Sequence, residues 1–380
     1  MSIEELREEI DAIDKELVAL FVKRMGVSAQ VAEYKRQNGR AVLDPSRERA
    51  LLERVSELAG EELESQTRIL YNLILSLSRS YQSHRLGADG AVIADIRDSI
   101  KNTAPVFPDR AVVACQGVEG AYSQQACDKL FSAANIMYMN SFEGVFNAVE
   151  KGLCRYGVLP LENSAAGSVN QIYDLMLKHK FHIVRSTRLH ISHVLVAPKG
   201  ATLDSVKDIY SHEQAIQQCS TFLQGLKGVK VHMCENTAMA AKAVAESGRT
   251  DVAAISSKAC ASLYGLDILE DSLPNVGNNY TRFICIAKPL EIYPGANRTS
   301  LMLVLKHKPG ALHSILSTFY SLGVNLLKLE SRPIAGRDFE FMFYFDIDVS
   351  VYSEAFENLL SQLQTEVEKF QYLGSYTEVV

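Results

Sequence analysis

The stretch Leu6–Lys35, LREEIDAIDKELVALFVKRMGVSAQVAEYK, decides how the chain begins. Positions 3, 6, 10, 13, 17, 20, 24, 27, 31 and 34 read Ile, Leu, Ile, Ile, Leu, Leu, Arg, Val, Val and Tyr. The spacing alternates three and four, so these side chains fall on one face of a helix. Every member is apolar except Arg24. A helix from about residue 3 to 37 is roughly 50 Å long. A compact domain of about 85 residues has a radius of gyration of about 12 Å and does not cover such a seam alone. The sequence therefore predicts packing against a second chain, as an intertwined homodimer or a higher homo-oligomer.

Arg24 in an apolar seam needs an anion. That anion is a structural ion-pair or register partner, or a bound ligand. Lys35 lies 11 residues on, about 20° away around the helix and roughly 16 Å along it, so the two cations share a face. Arg7 points about 100° away and lies roughly 25 Å from Arg24, so it joins the same site only if the other subunit supplies it. In LDPSRERALLERV (43–55), Asp44 is a helix N-cap with Pro45 at the first helical position, and Arg47 and Glu48 follow on the first turns. In LYNLILSLSRSYQSH (70–84), Ser78 and Gln82 are four apart and share a face.

Residues 1–84 resemble a chorismate mutase of the all-helical, intertwined-dimer type, on the strength of Leu6–Lys35 and DPSRERALLERV. The resemblance implies that Arg7, Arg24, Lys35, Asp44, Arg47, Glu48, Ser78 and Gln82 line the substrate pocket. The chemistry suits these residue types. A pericyclic rearrangement needs no nucleophile; it needs a dianion folded into a reactive chair, which two arginines on two carboxylates enforce. Donors at the breaking ether oxygen, a role for Lys35 and Gln82, stabilise the charge that builds there. Glu48 can hold the substrate hydroxyl.

Residues 85–109 mix Gly, Pro and charge and read as a linker with one short helix. From 110 to 290, short apolar strands (111–115, 156–161, 194–197, 252–255 and 280–287) alternate with helical stretches, which predicts an α/β fold. Four polar clusters sit at strand ends: GVEGAYSQQA (117–126), Glu162-Asn163-Ser164, Ser211 with Gln214 and Gln218, and Thr281-Arg282-Phe283. Ligands of open α/β sheets bind there. Each cluster alone reads equally as a helix cap or a strand entry with a solvated charge.

This combination resembles the prephenate dehydratase catalytic domain, a two-lobed fold like that of periplasmic binding proteins. The motifs that carry the likeness are Glu-Asn-Ser (162–164), Ser-His-x-Gln-x3-Gln-Cys (211–219) and Thr-Arg-Phe (281–283). The resemblance implies substrate contacts from Glu162, Asn163, Ser164, Ser211, Gln214, Gln218, Glu235, Thr281, Arg282 and Phe283. It makes Thr281 catalytic, as a hydrogen-bond donor to the leaving hydroxyl, acting directly or through water or Glu162. Arg282 either anchors a carboxylate or pairs with Glu162.

After EIYPGANR (291–298), which reads as a second linker, residues 299–376 follow the order βαββαβ of a ferredoxin-like sandwich. KPGALHSIL (308–316) and LESRPI (329–334) resemble the two signatures of the ACT regulatory domain of prephenate dehydratases. The resemblance implies L-phenylalanine at Gly310, Ala311, Leu312, Glu330, Ser331, Arg332 and Pro333, and feedback inhibition. A dimerisation sandwich without ligand is the plainer alternative.

Composition bounds the rest. The 380 residues allow two or three domains, with 47% hydrophobic and 22% charged residues. No apolar run nears the roughly 20 residues that span a bilayer, and the acidic amphipathic start is unlike a signal peptide. A cytoplasmic protein without a membrane partner is expected. Net charge is -6 with no dense basic run, which argues against nucleic acid. Seven scattered cysteines read as reduced thiols. His190 and His193 have no Cys or carboxylate cluster beside them, so neither metal nor other cofactor is expected.

Taken together, the three resemblances imply a member of the bifunctional chorismate mutase/prephenate dehydratase family of phenylalanine biosynthesis, an isomerase joined to a lyase. The resemblance implies chorismate and prephenate as substrates and L-phenylalanine as allosteric inhibitor. A non-catalytic amino-acid sensor with the same three parts is the rival; it has no need of Arg24 in the seam or of Thr-Arg-Phe.

Overall fold

The computed structural model describes residues 2–40, 44–85, 91–271, 273, 275, 277–334, 336 and 340–380. Residues 41–43, within the predicted helical region, and 86–90, within the predicted linker, lie outside the described residues.

Helix α1 (Ile3–Gln37) starts on a capping box: Ser2 Oγ accepts from Glu5 N at 3.2 Å and Glu5 Oε2 accepts from Ser2 N at 2.7 Å. Its apolar seam is uncovered within the chain. Ile3, Leu6, Ile10, Ile13, Leu17, Leu20, Val27, Val31 and Tyr34 are 40–65% exposed. Helix α2 (Pro45–Arg85) is broken at Gly60, whose φ of 71° and ψ of 170° are not helical. Glu48 and Arg79 stand 31 residues apart yet touch at 2.7 Å. A continuous helix would hold them roughly 46 Å apart, so α2 folds back at Gly60 into two arms. Asp44 Oδ1 caps the first arm by accepting from Arg47 N at 3.0 Å.

Helix α3 (Ala91–Asn102) leads into the α/β region. Its elements run β1 (Arg110–Gln116), α4 (Tyr122–Leu130), β2 (Ala133–Met139), α5 (Phe142–Glu150), β3 (Tyr156–Asn163), β4 (Gly167–Ser168), α6 (Asn170–Met176) and β5 (His182–His190). The chain then crosses to a second lobe with β6 (Val194–Ala197), β7 (Asp208–Ser211), α7 (Glu213–Gln218), α8 (Ser220–Gly225), β8 (Lys230–Met233), α9 (Thr237–Glu246), β9 (Val252–Ser256), α10 (Lys258–Tyr264) and β10 (Asp267–Glu270). It returns as β11 (Tyr280–Ala287).

The first sheet has the order β5-β11-β3-β1-β2, with β4 on β3, and the second β10-β6-β9-β7-β8. Strand β11 lies between β3 and β5, and every residue from Thr281 to Ala287 is buried. A strand covered on both faces reads as an unbroken apolar run, which is why FICIA was legible as one.

The C-terminal module follows as β12 (Arg298–Val304), α11 (Ala311–Ser321), β13 (Asn325–Pro333), β14 (Phe341–Asp348), α12 (Glu354–Glu366) and β15 (Lys369–Tyr376), in the predicted order. Its sheet runs β13-β14-β12-β15. Two features depart from the sequence reading. EIYPGANR is no free linker: Glu291, Ile292, Tyr293 and Ala296 are all buried, and Glu291 holds Arg155 at 2.5 Å and the Tyr156 hydroxyl at 2.8 Å. The chain also continues past 376 into β16 (Glu378–Val379), which pairs in parallel with β5 and extends the first sheet. Gly374 permits this approach. A Cβ there would lie 2.2 Å from the Ile183 carbonyl oxygen, and its φ is 145°.

Two compact units result: Met1–Arg97 with Leu303–Asn325 and Tyr352–Phe370, and Asp98–Met302 with Leu326–Val351 and Gln371–Val380. Most of the C-terminal sheet thus belongs with the α/β lobes, whereas α11 and α12 group with the N-terminal helices. All seven cysteines are free thiols. Among the described residues no helix is long and apolar enough to cross a membrane.

Candidate functional site

In the helical unit, the fold-back of α2 sets Glu48 against Arg79 in a two-pronged ion pair of 2.7 and 2.8 Å. Arg79 was not singled out by sequence reasoning, although it follows Ser78 directly. Ser78 and Gln82 are buried together: Gln82 Nε2 donates to Ser78 Oγ at 3.3 Å, and Ser78 Oγ donates to Ser28 Oγ at 2.7 Å. Ser28 lies one turn beyond Arg24 on the same face of α1. Arg24 Nη1 and Gln82 Oε1 are buried and make no hydrogen bond to described residues. Buried polar atoms are rarely left unpaired, which marks this cluster as the candidate site of the helical unit. Asp44 and Arg47 are exposed at the start of α2, and Arg7 is exposed far along α1. Lys35 is half-buried.

In the α/β unit, β11 decides the site. Successive residues of a strand point to opposite faces, and the register pairs Thr281 with Asn163 and Arg282 with Glu162. Thr281 Oγ1 accepts from Asn163 Nδ2 at 2.9 Å. Asn163 is itself fixed, because its Oδ1 accepts from the backbone N–H of Ala165 at 3.0 Å and of Ala166 at 2.8 Å. Ser164 ties the same turn to the start of β11, accepting from Tyr280 N at 2.9 Å. Gln218 reaches this side through Asn279, which donates to Gln218 Oε1 at 2.9 Å and accepts from Asn163 at 2.7 Å. Asn279 belongs to the run NNYTRF, yet sequence reasoning passed over it.

Arg282 faces the other way and is 4% exposed. It pairs with Asp346 of β14, which is wholly buried, and donates to the Tyr376 hydroxyl at 2.9 Å. Its Nε lies 3.3 Å from Glu378 without hydrogen-bond alignment, and Nη1 lies 3.4 Å from Glu162. Burial opposes the Arg282 charge, but Tyr376 and Asp346 outweigh it and raise its pKa above the ordinary arginine value. Arg282 thus takes the ion-pairing contacts, to Glu162 as expected and to Asp346, a partner that no local pattern announced. Glu162, expected as a possible relay to Thr281, is turned from that face by strand alternation and held by Lys328 at 2.7 Å.

Other predicted residues separate as well. Ser211 is fully buried and its hydroxyl donates to the Ile255 carbonyl at 2.7 Å, so it braces two strands of the second sheet. Phe283 is 2% exposed and packs in the core with Val158, Cys285 and Val184. Gln214 is exposed on α7, and Glu235 is exposed just before α9. His190 and His193 take different partners, Gly277 O at 3.1 Å and Gln218 Oε1 at 3.0 Å.

In the C-terminal module, Gly310 caps α11 with φ of 79°, and Ala311 and Leu312 are half-buried. On β13, Glu330 accepts from the Ser168 hydroxyl, and Arg332 forms a two-pronged ion pair with Asp174 of α6 at 3.0 and 2.9 Å. Lys328 lies between Glu162, Ser168 at 2.9 Å and Glu330 at 3.7 Å. Ser331 and Pro333 are exposed.

Comparison with known proteins now decides the family. Residues 6–83 match the chorismate mutase type II model and residues 113–290 the prephenate dehydratase model. The chain is 33% identical to the bifunctional chorismate mutase/prephenate dehydratase of Enterobacter agglomerans, over 98% of this chain and 95% of that one. The chain belongs to the bifunctional chorismate mutase/prephenate dehydratase family. As a member it carries both enzyme modules of phenylalanine biosynthesis on one polypeptide. The solved structure of the Arthrobacter aurescens prephenate dehydratase with L-Phe is 28% identical and superposes with a TM-score of 0.65, over 70% of this chain and 89% of that one. The quorum-quenching acylase GqqA shares the fold at 30% identity and the same TM-score, over 70% and 98% of the two chains.

One energetic consequence of the Arg282 cluster is measurable. Removing one member of a buried ion pair costs about 3–5 kcal/mol because the other charge is stranded. Arg282→Met is expected to lose that much in a denaturant melt, and adding Asp346→Asn to recover most of it. Additive losses would show that the two residues are not coupled.

Proposed function

We propose that the chain rearranges chorismate to prephenate in its helical unit and converts prephenate to phenylpyruvate on the Thr281 face of the α/β unit. Arg24, whose Nη1 is buried without a hydrogen-bond partner among the described residues, carries the first half of this reading. It awaits an anion, and a substrate carboxylate supplies one. Arg24 and Lys35 then hold the dianion from one chain, and Arg7 of a second copy closes the site. Lys35 and Gln82 donate to the ether oxygen as its bond breaks. Glu48, fixed by Arg79, accepts from the substrate hydroxyl, while Asp44, Arg47 and Ser78 complete the lining.

The second reaction needs little from the protein. The electrons of the ring-to-carboxylate bond move into the ring, carbon dioxide leaves, and the ring C–O bond breaks to release hydroxide. Thr281 donates a hydrogen bond to that departing oxygen. A threonine hydroxyl titrates far above neutrality, so it stabilises the leaving group without transferring its proton outright. Asn163, Ser164, Gln214, Gln218 and Glu235 border this face.

Regulation follows from β13. L-Phenylalanine binds at the Gly310–Leu312 and Glu330–Pro333 signatures of a C-terminal ACT domain and inhibits the dehydratase. Lys328 links Glu330 to Glu162, one residue from Asn163, so a ligand that draws Glu330 away disturbs the turn that holds Asn163. The uncovered seam of α1 supports a homodimer.

Four measurements test this reading. Thr281→Ala is expected to lose about 100-fold or more in dehydratase kcat, the range for removing one donor to a developing anion, while prephenate still accumulates from chorismate. Arg24→Ala is expected to lose mutase activity while prephenate is still consumed; equal loss of both activities in either variant would reject separate sites. L-Phenylalanine is expected to inhibit the wild-type dehydratase and to inhibit Glu330→Ala weakly or not at all; equal inhibition of the two would reject the regulatory role. Light scattering should give at least twice the 42.1 kDa chain mass, and a monomer would contradict the seam argument.

A further inference from the structure

A buried histidine takes no part in the reaction as derived so far. His193 is 3% exposed and stands just before β6, on the first crossing between the lobes; Asn279 is 2% exposed and stands just before β11, on the second. His193 Nε2 lies 3.0 Å from Gln218 Oε1, Asn279 Nδ2 lies 2.9 Å from the same oxygen, and Asn279 Oδ1 lies 2.7 Å from Asn163 Nδ2. With Asn163 Nδ2 2.9 Å from Thr281 Oγ1, five side chains form one line, buried at His193, Asn279 and Thr281 and half-buried at Gln218 and Asn163, from the second lobe to the Thr281 hydroxyl.

The direction of every bond in this line is determined. Two backbone N–H groups, of Ala165 and Ala166, donate to Asn163 Oδ1. The other end of Asn163 must therefore be its NH2, which donates both to Thr281 and to Asn279. Asn279 must accept with its oxygen and donate with its nitrogen, so Gln218 must accept with its oxygen. His193 then has one choice, to donate from Nε2. A neutral imidazole with its proton on Nε2 satisfies this. Burial lowers the His193 pKa, with His212 nearby adding to that effect and Gln218 opposing it. Its Nδ1 is buried and has no hydrogen-bond partner among the described residues, as suits a nitrogen without a proton.

The consequence falls on Thr281. Its oxygen already accepts from Asn163, so its own O–H is not needed in the line and is left to donate. That is the polarity the dehydratase step requires. We propose that His193 is a positioning residue for the dehydratase reaction: its Nε2–H locks Gln218 and Asn279, and through Asn163 keeps the Thr281 hydroxyl oriented as a donor. The line is held at both ends by N–H groups, the backbone of Ala165 and Ala166 at one and His193 at the other. Without His193, the Gln218 amide is free to turn over, and Asn279 loses its defined acceptor. Because His193 and Asn279 occupy the two crossings, the same line ties the donor geometry to the relative placement of the lobes. This inference rests on the reading of Thr281 as the donor.

The test is a variant set on the full-length enzyme. His193→Leu removes the N–H at similar volume, whereas His193→Gln can place an N–H where Nε2 stood. One net hydrogen bond corresponds to roughly tenfold in rate, so His193→Leu is expected to lose about tenfold in dehydratase kcat, with KM for prephenate and mutase activity unchanged. His193→Gln is expected to recover to within about threefold of wild type, a margin below that of one hydrogen bond. Because His193 acts through Thr281, adding His193→Leu to Thr281→Ala should cost nothing further. If His193→Leu does not fold, Asn279→Asp replaces it, keeping the shape while withdrawing the N–H that Gln218 accepts; the same kcat loss is expected. A folded His193→Leu or Asn279→Asp enzyme with wild-type kcat, a His193→Gln enzyme no better than His193→Leu, or full additivity with Thr281→Ala would overturn the proposal. Thr281→Ala with wild-type dehydratase activity would instead overturn the reading of Thr281, which separates the two failures.

Discussion

The guanidinium of Arg282 is buried in the middle of a protein, and much of the α/β unit is arranged around that fact. An isolated charge in such a place costs several kcal/mol, and only close anions and hydrogen bonds offset it. Asp346, the Tyr376 hydroxyl and Glu378 surround it, and all three come from the C-terminal segments. Those anions are held in turn. Ser300 and Tyr344 donate to Asp346, while Arg188 and Arg298 pair with Glu378. The charge therefore fixes β14, the end of β15 and β16 against the strand that carries the Thr281 hydroxyl. Strand alternation completes the arrangement, for the residue beside Arg282 points the opposite way by necessity. One strand thereby presents a hydroxyl on one face and an anchor for the C-terminal sheet on the other.

That arrangement gives the proposed regulation a short path from the C-terminal sheet to the Thr281 face. On the Arg282 side, Glu162 meets Lys328 of β13; on the Thr281 side, its neighbour Asn163 donates to the Thr281 hydroxyl oxygen. Glu162 and Asn163 are adjacent on β3, so the contacts of β13 and of Thr281 lie one residue apart. Coupling of this kind requires a ligand that distinguishes two arrangements of the strand, and ion pairs with partly exposed members are well suited to exchange partners. Glu162, at 30% side-chain exposure, is such a member, whereas Asp346 at 0% is not.

Much of this was legible in the sequence, for reasons that differ by element. The long α1 was read from its seam because periodicity over many turns is a strong signal. Strand β11 was read from FICIA because a strand buried on both faces has no polar positions. The order of the C-terminal elements was likewise plain from their patterns. Contacts between distant segments were not legible. Nothing near Arg282 in the sequence names Asp346, 64 positions on. Ser211 looked like a ligand-binding serine at a strand end, yet it hydrogen-bonds to the Ile255 carbonyl of a neighbouring strand. The burial of Glu291 and Tyr293 and the return of Glu378–Val379 to the first sheet were hidden for the same reason: Gly and Pro in a short segment report turns, and say nothing of what the segment packs against.

The central claim is that Thr281 and Arg282 divide their work across the strand, chemistry on one face and anchoring on the other. Its most direct test is the Michaelis constant for prephenate in the paired variant Arg282→Met/Asp346→Asn. Lys328 still neutralises Glu162, and Arg188 and Arg298 still neutralise Glu378, so the variant strands no charge. The account predicts a KM within a few-fold of wild type, about 1 kcal/mol or less of uniform binding. A folded variant whose KM rises by about 100-fold, the loss of a charged contact to a substrate carboxylate, would contradict it and return Arg282 to the substrate.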